Sequence, residues 1–122
     1  MPIFHVTTEA EWEAAHAVGS YRRSTKGASL DEVGFIHASS AEQLPRVARF
    51  LYAESDDQLV VLELDDDAIR RSGIRIPWED GGAGELFPHI YGALVTTVVL
   101  AVHPAAFDQD GVLRWPVPAK ES

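Results

Sequence analysis

The sequence predicts an α+β domain, and three observations carry that prediction. Two segments have helical apolar spacing, five or six short runs are alternating or β-branched, and the two kinds do not alternate strictly along the chain. A doubly wound parallel sheet needs regular strand–helix alternation, so that class is set aside. At 122 residues the chain is expected to form a single domain over 1–122, large enough for one core and too short for two.

Ile3 to Thr7 alternates as a strand, with Phe4 and Val6 to one side and Ile3, His5 and Thr7 to the other. Thr8-Glu9-Ala10-Glu11 fits a capping box and opens a helix over 9–18, with Trp12, Ala15 and Val18 as its apolar face and Gly19 as its stop. Tyr21 to Leu30 is polar and reads as a loop carrying the basic cluster Arg22, Arg23 and Lys26. In GFIHASS, residues 34–40, Phe35 and His37 share one face of a short extended segment. Ser39 or Ser40 then caps a second helix, with Glu42 or Gln43 as the reciprocal partner. That reading puts His37 just before a helix N-terminus, where free N–H groups favour an anion. Leu44, Val47, Ala48 and Leu51 form the helix's core stripe, and Pro45 falls in its first turn.

LVVLEL at 59–64 is a buried strand, and Asp65-Asp66-Asp67 caps a single helical turn that ends on Arg70 and Arg71. The three aspartates lack the spacing of a calcium loop, so capping is the expectation. Ile74 to Trp78 reads as a short strand and EDGGAG at 79–84 as a flexible loop. LVTTVVLAV at 94–102 is the strongest strand, central in its sheet and ended by His103-Pro104. Asp110-Gly111 turns the chain into a last strand near 112–115, and residues 117–122 are expected to be a mobile tail.

Composition removes several function classes. There is no cysteine, which excludes disulfides and thiol catalysis and suits a reducing cytoplasm. A net charge of −9 argues against a bulk nucleic-acid surface, although the basic cluster leaves room for a local anion site. No run of 18 apolar residues occurs and the N-terminus lacks a signal-peptide pattern, so no membrane association is expected.

The stretch GELFPHIYG, from Gly84 to Gly92, holds the densest chemistry: Glu85, His89 and Tyr91 on a segment stiffened by Pro88. It reads as a rigid loop of the kind that carries sites, or as a structural crossover whose polar groups satisfy one another. His5, His37 and His89 each sit among apolar or aromatic neighbours, whereas His16 and His103 read as incidental. Three imidazoles with Glu85 would suit a metal, but the spacing contains no HExxH or HxH, and no metal is expected. A serine hydrolase is poorly supported, because GxSxG is absent and Ser39 and Ser40 have a capping role.

With IFHVTTEAEWEAA, GSYRRSTKGASLDEVGFIHASSAEQLPRVA and GELFPHIYG laid out, the chain resembles the small bacterial family designated domain of unknown function 952. The resemblance implies a fold like that of the ADP-ribosyltransferases: two small antiparallel sheets packed at an angle, with two main helices and a cleft that holds NAD. It implies His5 as the first-strand histidine, followed by Thr7, with Val6 where active transferases carry glycine. It also implies His37 for the second-strand position. On chemistry, Glu85 is the candidate carboxylate and Glu79 its substitute, because an oxocarbenium-like transition state needs a negative charge beside it.

Three readings follow. One is a transferase-like enzyme acting on NAD or a related nucleotide, with Glu85, His37 and His89 catalytic. Its ligand contacts would come from His5, Thr7, Arg22, Arg23, Phe35, Ser39 and Tyr91. The second is a non-catalytic pocket for a nucleotide-like ligand, using the same residues. The third is a structural or interaction protein whose histidines form a closed network.

Overall fold

A computed structural model describes residues 2–116, and the expected tail at 117–122 lies outside them. Strand β1 (Ile3–Thr8) leads into helix α1 (Glu9–Val18), with the predicted bounds. Thr8 caps the helix by accepting from the Glu11 N–H at 3.1 Å. The capping box is only half made, because the Glu11 carboxylate turns to Arg23 instead. Gly19 closes the helix at φ 83°, the left-handed conformation that a Cβ disfavours.

The segment expected as a loop is folded. It holds β2 (Ser20–Tyr21), β3 (Arg23–Thr25), β4 (Ala28–Ser29) and the short helix α2 (Leu30–Val33). Tyr21 and Ser24 are fully buried there. Strands of two or three residues carry no measurable period, which is why their polar composition reads as a loop. Next come β5 (Ile36–His37) and helix α3 (Leu44–Tyr52). Ser40 and Gln43 make the expected reciprocal cap at 3.1 and 3.0 Å, but it closes a turn ahead of the helix. His37 therefore lies in a strand, seven positions before α3, and not at a helix N-terminus.

Strand β6 (Leu59–Leu64) has the predicted limits, and α4 (Asp66–Arg71) follows it. Asp65 accepts from Ala68 N–H at 3.0 Å and Asp66 pairs with Arg70 at 2.7 Å, so these aspartates cap and brace α4. The strand expected at 74–78 begins instead at Trp78, as β7 (Trp78–Asp80). GELFPHIYG is not a loop: its centre is β8 (Leu86–Ile90). Strand β9 (Leu94–Val95), a 3₁₀ turn at Thr96–Val98, β10 (Val99–Phe107) and β11 (Leu113–Arg114) complete the chain. The predicted single strand at 94–102 is thus broken by the 3₁₀ turn. His103-Pro104 does not end β10, since Pro104 still pairs opposite Val60.

Among the described residues all pairings are antiparallel, and they form four sheets where two were expected. The main sheet has the order β1-β6-β10-β11, and β5-β8-β7 form a three-stranded sheet. The short pairs β2-β9 and β3-β4 stay separate because turns interrupt their ladders after two or three residues. The main sheet is apolar on both faces. Ile3, Val60, Leu62 and Leu64 join one cluster with Ala15, Ile36 and Ile90, while Phe4, Val6, Leu59 and Val61 pack against Leu44, Ala48 and Tyr52 of α3. The mixed α+β class is as predicted.

Candidate ligand-binding site

The three-stranded sheet positions the side chains of interest. Proline is normally excluded from an interior strand, yet Pro88 sits in the middle of β8. Its carbonyl accepts from Ala38 N–H at 3.0 Å, so its nitrogen faces the same side, where β5 has already ended at His37. The missing N–H therefore forgoes only the reciprocal bond to Ala38, just past the end of β5. Period-two alternation then puts Ile36 and Ile90 into the core and Phe35, His37, Phe87 and His89 on the opposite face. His37 and His89 are direct cross-strand partners, with ring centroids 5.5 Å apart.

Between this face and α3 lies a cavity of about 400 Å³. Phe35, His37 and Phe87 form its sheet wall, Arg46, Val47 and Phe50 its helix wall, and Ser24 and Thr25 come from the β3–β4 hairpin. Gly81 lets the β7–β8 turn close over Phe87, because a Cβ there would lie 2.5 Å from the ring. Burial, with the nearby His89 second, lowers the His37 pKa to about 4, so the imidazole is neutral at pH 7. It makes ring contacts with Phe87 and His89 and no hydrogen bond among the described residues. The Ser24 hydroxyl is fully buried in the same wall and also lacks a partner.

His89 is stacked on Phe35, with centroids 3.9 Å apart, and its Nδ1 meets Glu79 Oε1 at 2.9 Å. Tyr91 donates to the same oxygen at 2.5 Å. These bonds, Tyr91's foremost, hold the Glu79 pKa below the ordinary carboxylate range and raise that of Tyr91. His89 Nε2 is buried and unpartnered. Arg75 lies over the Tyr91 ring, 4.8 Å from its centroid. Glu79, the substitute acid, is thus the carboxylate beside the imidazoles.

Other expected site residues separate. His5 is behind the wall, in the core. A carbonyl can only accept, so His5 Nδ1–H donates to the His37 carbonyl at 2.6 Å, and Nε2 accepts from the Tyr21 phenol at 2.7 Å. Burial lowers the His5 pKa to about 4 and raises that of Tyr21. Both ring nitrogens are spent, so His5 is a structural tie. Glu85 does not line the cavity. Arg46 grips it through two bonds of 3.0 and 2.7 Å, Gln43 through a third of 3.1 Å, and the Arg46 bonds chiefly lower its pKa.

Arg22 pairs with Asp31 at 2.6 Å on the surface. Ser39 is buried, its backbone bridging that of Phe4. Thr7 and Arg23 line a smaller hollow of about 220 Å³ with Lys26 and Tyr52, adjoining the first at Thr25. Sequence reasoning missed Ser24, Arg46 and Phe50. Phe50 gave a signal: it lies off the core stripe of α3 and is 88% exposed.

These features define a small α+β domain that carries a ligand-sized, aromatic-walled cleft. The chain belongs to the family described as protein of unknown function (DUF952), whose model matches residues 6–102. Protein CC0527 from Caulobacter crescentus is 30% identical, and its crystal structure superposes with a TM-score of 0.76 over 93% of this chain and 94% of that one. A crystal structure of a double mutant of the same protein gives a TM-score of 0.78 with the same coverage. Its solution NMR structure gives 0.72 over 91% and 90%. None of the curated proteins matches the chain. Among the described residues, no helix is long and apolar enough to cross a membrane.

Proposed function

We propose that this domain binds a small nucleotide-like molecule in the cleft between the β5-β8-β7 sheet and α3, inserting a flat ring against Phe35 and Phe87. The observation that carries the reading is unspent hydrogen-bonding capacity in an aromatic cavity. Ser24 and His37 both line it: the Ser24 hydroxyl is fully buried without a partner, and the half-buried, neutral His37 imidazole makes no hydrogen bond among the described residues. A buried polar group left unpaired costs about 1–3 kcal/mol, a cost that a ligand bonded to it would remove. A cavity of about 400 Å³ also lies in the range that small-molecule sites occupy.

Binding is favoured over turnover. Transfer of ADP-ribose from NAD, the activity implied by an ADP-ribosyltransferase-like fold, needs a carboxylate beside the reacting ribose. Glu85 is clasped by Arg46 and Gln43, Glu79 is held by Tyr91 and His89, and neither lines the cavity. The experiment is a thermal shift with NAD, ADP-ribose and nicotinamide. A ligand at about 100 times its dissociation constant adds roughly 2.7 kcal/mol of stability. The Ser24→Ala variant should fold at least as well as the parent and lose the shift. Absence of a shift with all three ligands overturns the reading, and nicotinamide release from bound NAD would restore the transferase.

A further inference from the structure

We propose that Glu85 is a built-in placeholder for the anionic group of the cleft's ligand, seated on Arg46 until a ligand carboxylate or phosphate takes its place. The inference rests on the ligand-binding reading above and narrows it to a class: an apolar or aromatic body with one anionic end.

Charge in the cavity points that way. Of the residues that line it, Arg46 alone carries a formal charge, and no carboxylate is among them. Its neighbours Val47, Phe50 and Phe87 offer only apolar surface. An anionic end at Arg46 would leave the rest of the ligand among aromatic rings, with Ser24, Thr25 and His37 as the remaining polar side chains.

Geometry supplies the second argument. Arg46 Nη1 donates to Glu85 Oε1 at 3.0 Å and Nη2 donates to Oε2 at 2.7 Å. This two-pronged fork is the arrangement a free carboxylate or a phosphate makes with guanidinium. The chain has therefore bound one of its own carboxylates on the cavity's lining arginine in the manner of a ligand. Both partners are partly exposed, 67% for the Arg46 side chain and 36% for Glu85. Such pairs add little to folding stability, so exchange leaves the fold intact.

The surroundings allow the exchange without losing the turn. Gln43 Nε2 also donates to Glu85 Oε2 at 3.1 Å and to the Leu86 carbonyl at 2.8 Å. Asp80 accepts from the N–H groups of Gly82 and Gly84 at 2.7 and 3.3 Å. When Arg46 changes partner, these bonds still hold the β7–β8 turn in place.

The test uses nicotinate and nicotinamide, rings of nearly one shape that differ in a carboxylate against an amide. Each is titrated calorimetrically into the parent, Glu85→Gln and Arg46→Gln proteins. Glu85→Gln should raise nicotinate affinity about tenfold and leave nicotinamide unchanged. Arg46→Gln should lower nicotinate affinity by at least about tenfold, again without effect on nicotinamide. A nicotinate-to-nicotinamide ratio that neither variant changes overturns the placeholder. If Ser24→Ala then weakens both probes, the cleft reading stands and only the placeholder fails. If neither probe binds any of the proteins, both fail together.

Discussion

His5 and His37 are joined by one hydrogen bond and differ in everything that bond leaves open. Both are held neutral, with pKa values lowered to about 4 chiefly by burial. His5 has spent both nitrogens, on the His37 carbonyl and the Tyr21 phenol. His37 offers its backbone to that tie and keeps its imidazole for the cavity. One histidine fastens the main sheet to the small one, and the other faces the space behind which the first is hidden. Residue type does not separate a structural imidazole from a candidate ligand contact. The state of its partners does.

The largest expected effect breaks the structural half of this contrast. His5→Ala leaves the His37 carbonyl and Tyr21 hydroxyl unpaired in the core and should lower unfolding free energy by about 3 kcal/mol or more in urea titrations. His37→Ala should cost much less, because no hydrogen bond is lost.

Acid should weaken the fold through both histidines, because burial holds both neutral, and His5 can be followed on its own. The unfolded histidine binds a proton near pH 6.5 while the native one resists until about 4, so stability is full above 6.5 and falls as pH drops through that window. From His5 alone the loss approaches about 3 kcal/mol near pH 4. Urea curves at pH 7 and pH 4.5 should show a shallower pH dependence in His5→Ala than in the parent. An identical dependence would mean that His5 titrates normally in the folded state.

A smaller effect sharpens the cavity half. Gly81→Ala places a Cβ 2.5 Å from Phe87, so the ring must shift toward the cavity. Overpacking of this kind costs about 1–3 kcal/mol, and ligand affinity should fall with it. Ser24→Ala is the one change expected to lose no stability and to gain up to about 1 kcal/mol, because the hydroxyl it removes is buried without a partner.

Parts of this were legible in the sequence for stated reasons. Helix α1 was bounded correctly because Thr8 and Gly19 mark its ends chemically, and β6 because LVVLEL has nothing else to be. The β2–β4 region was not legible, since two-residue strands leave no period to read. GELFPHIYG reads as a rigid loop because its mixed residues show no simple strand pattern. Its pairing as β8 is a tertiary fact, with Pro88 opposite Ala38 just past the end of β5. Of the three histidines expected to converge, His37 and His89 are cross-strand partners, but His5 lies in the core and only His37 lines the cavity. Glu85 was given the wrong setting because its partner Arg46 lies 39 positions away, beyond any local pattern.

The most direct test of the central claim is a titration of the ¹³C-labelled histidine protein with nicotinamide and NAD, followed by NMR of the imidazole signals. The cleft reading predicts that His37 shifts on titration while His5 stays fixed, and that Ser24→Ala weakens the response. A titration that leaves His37 unmoved, or moves His5 as much, would contradict it.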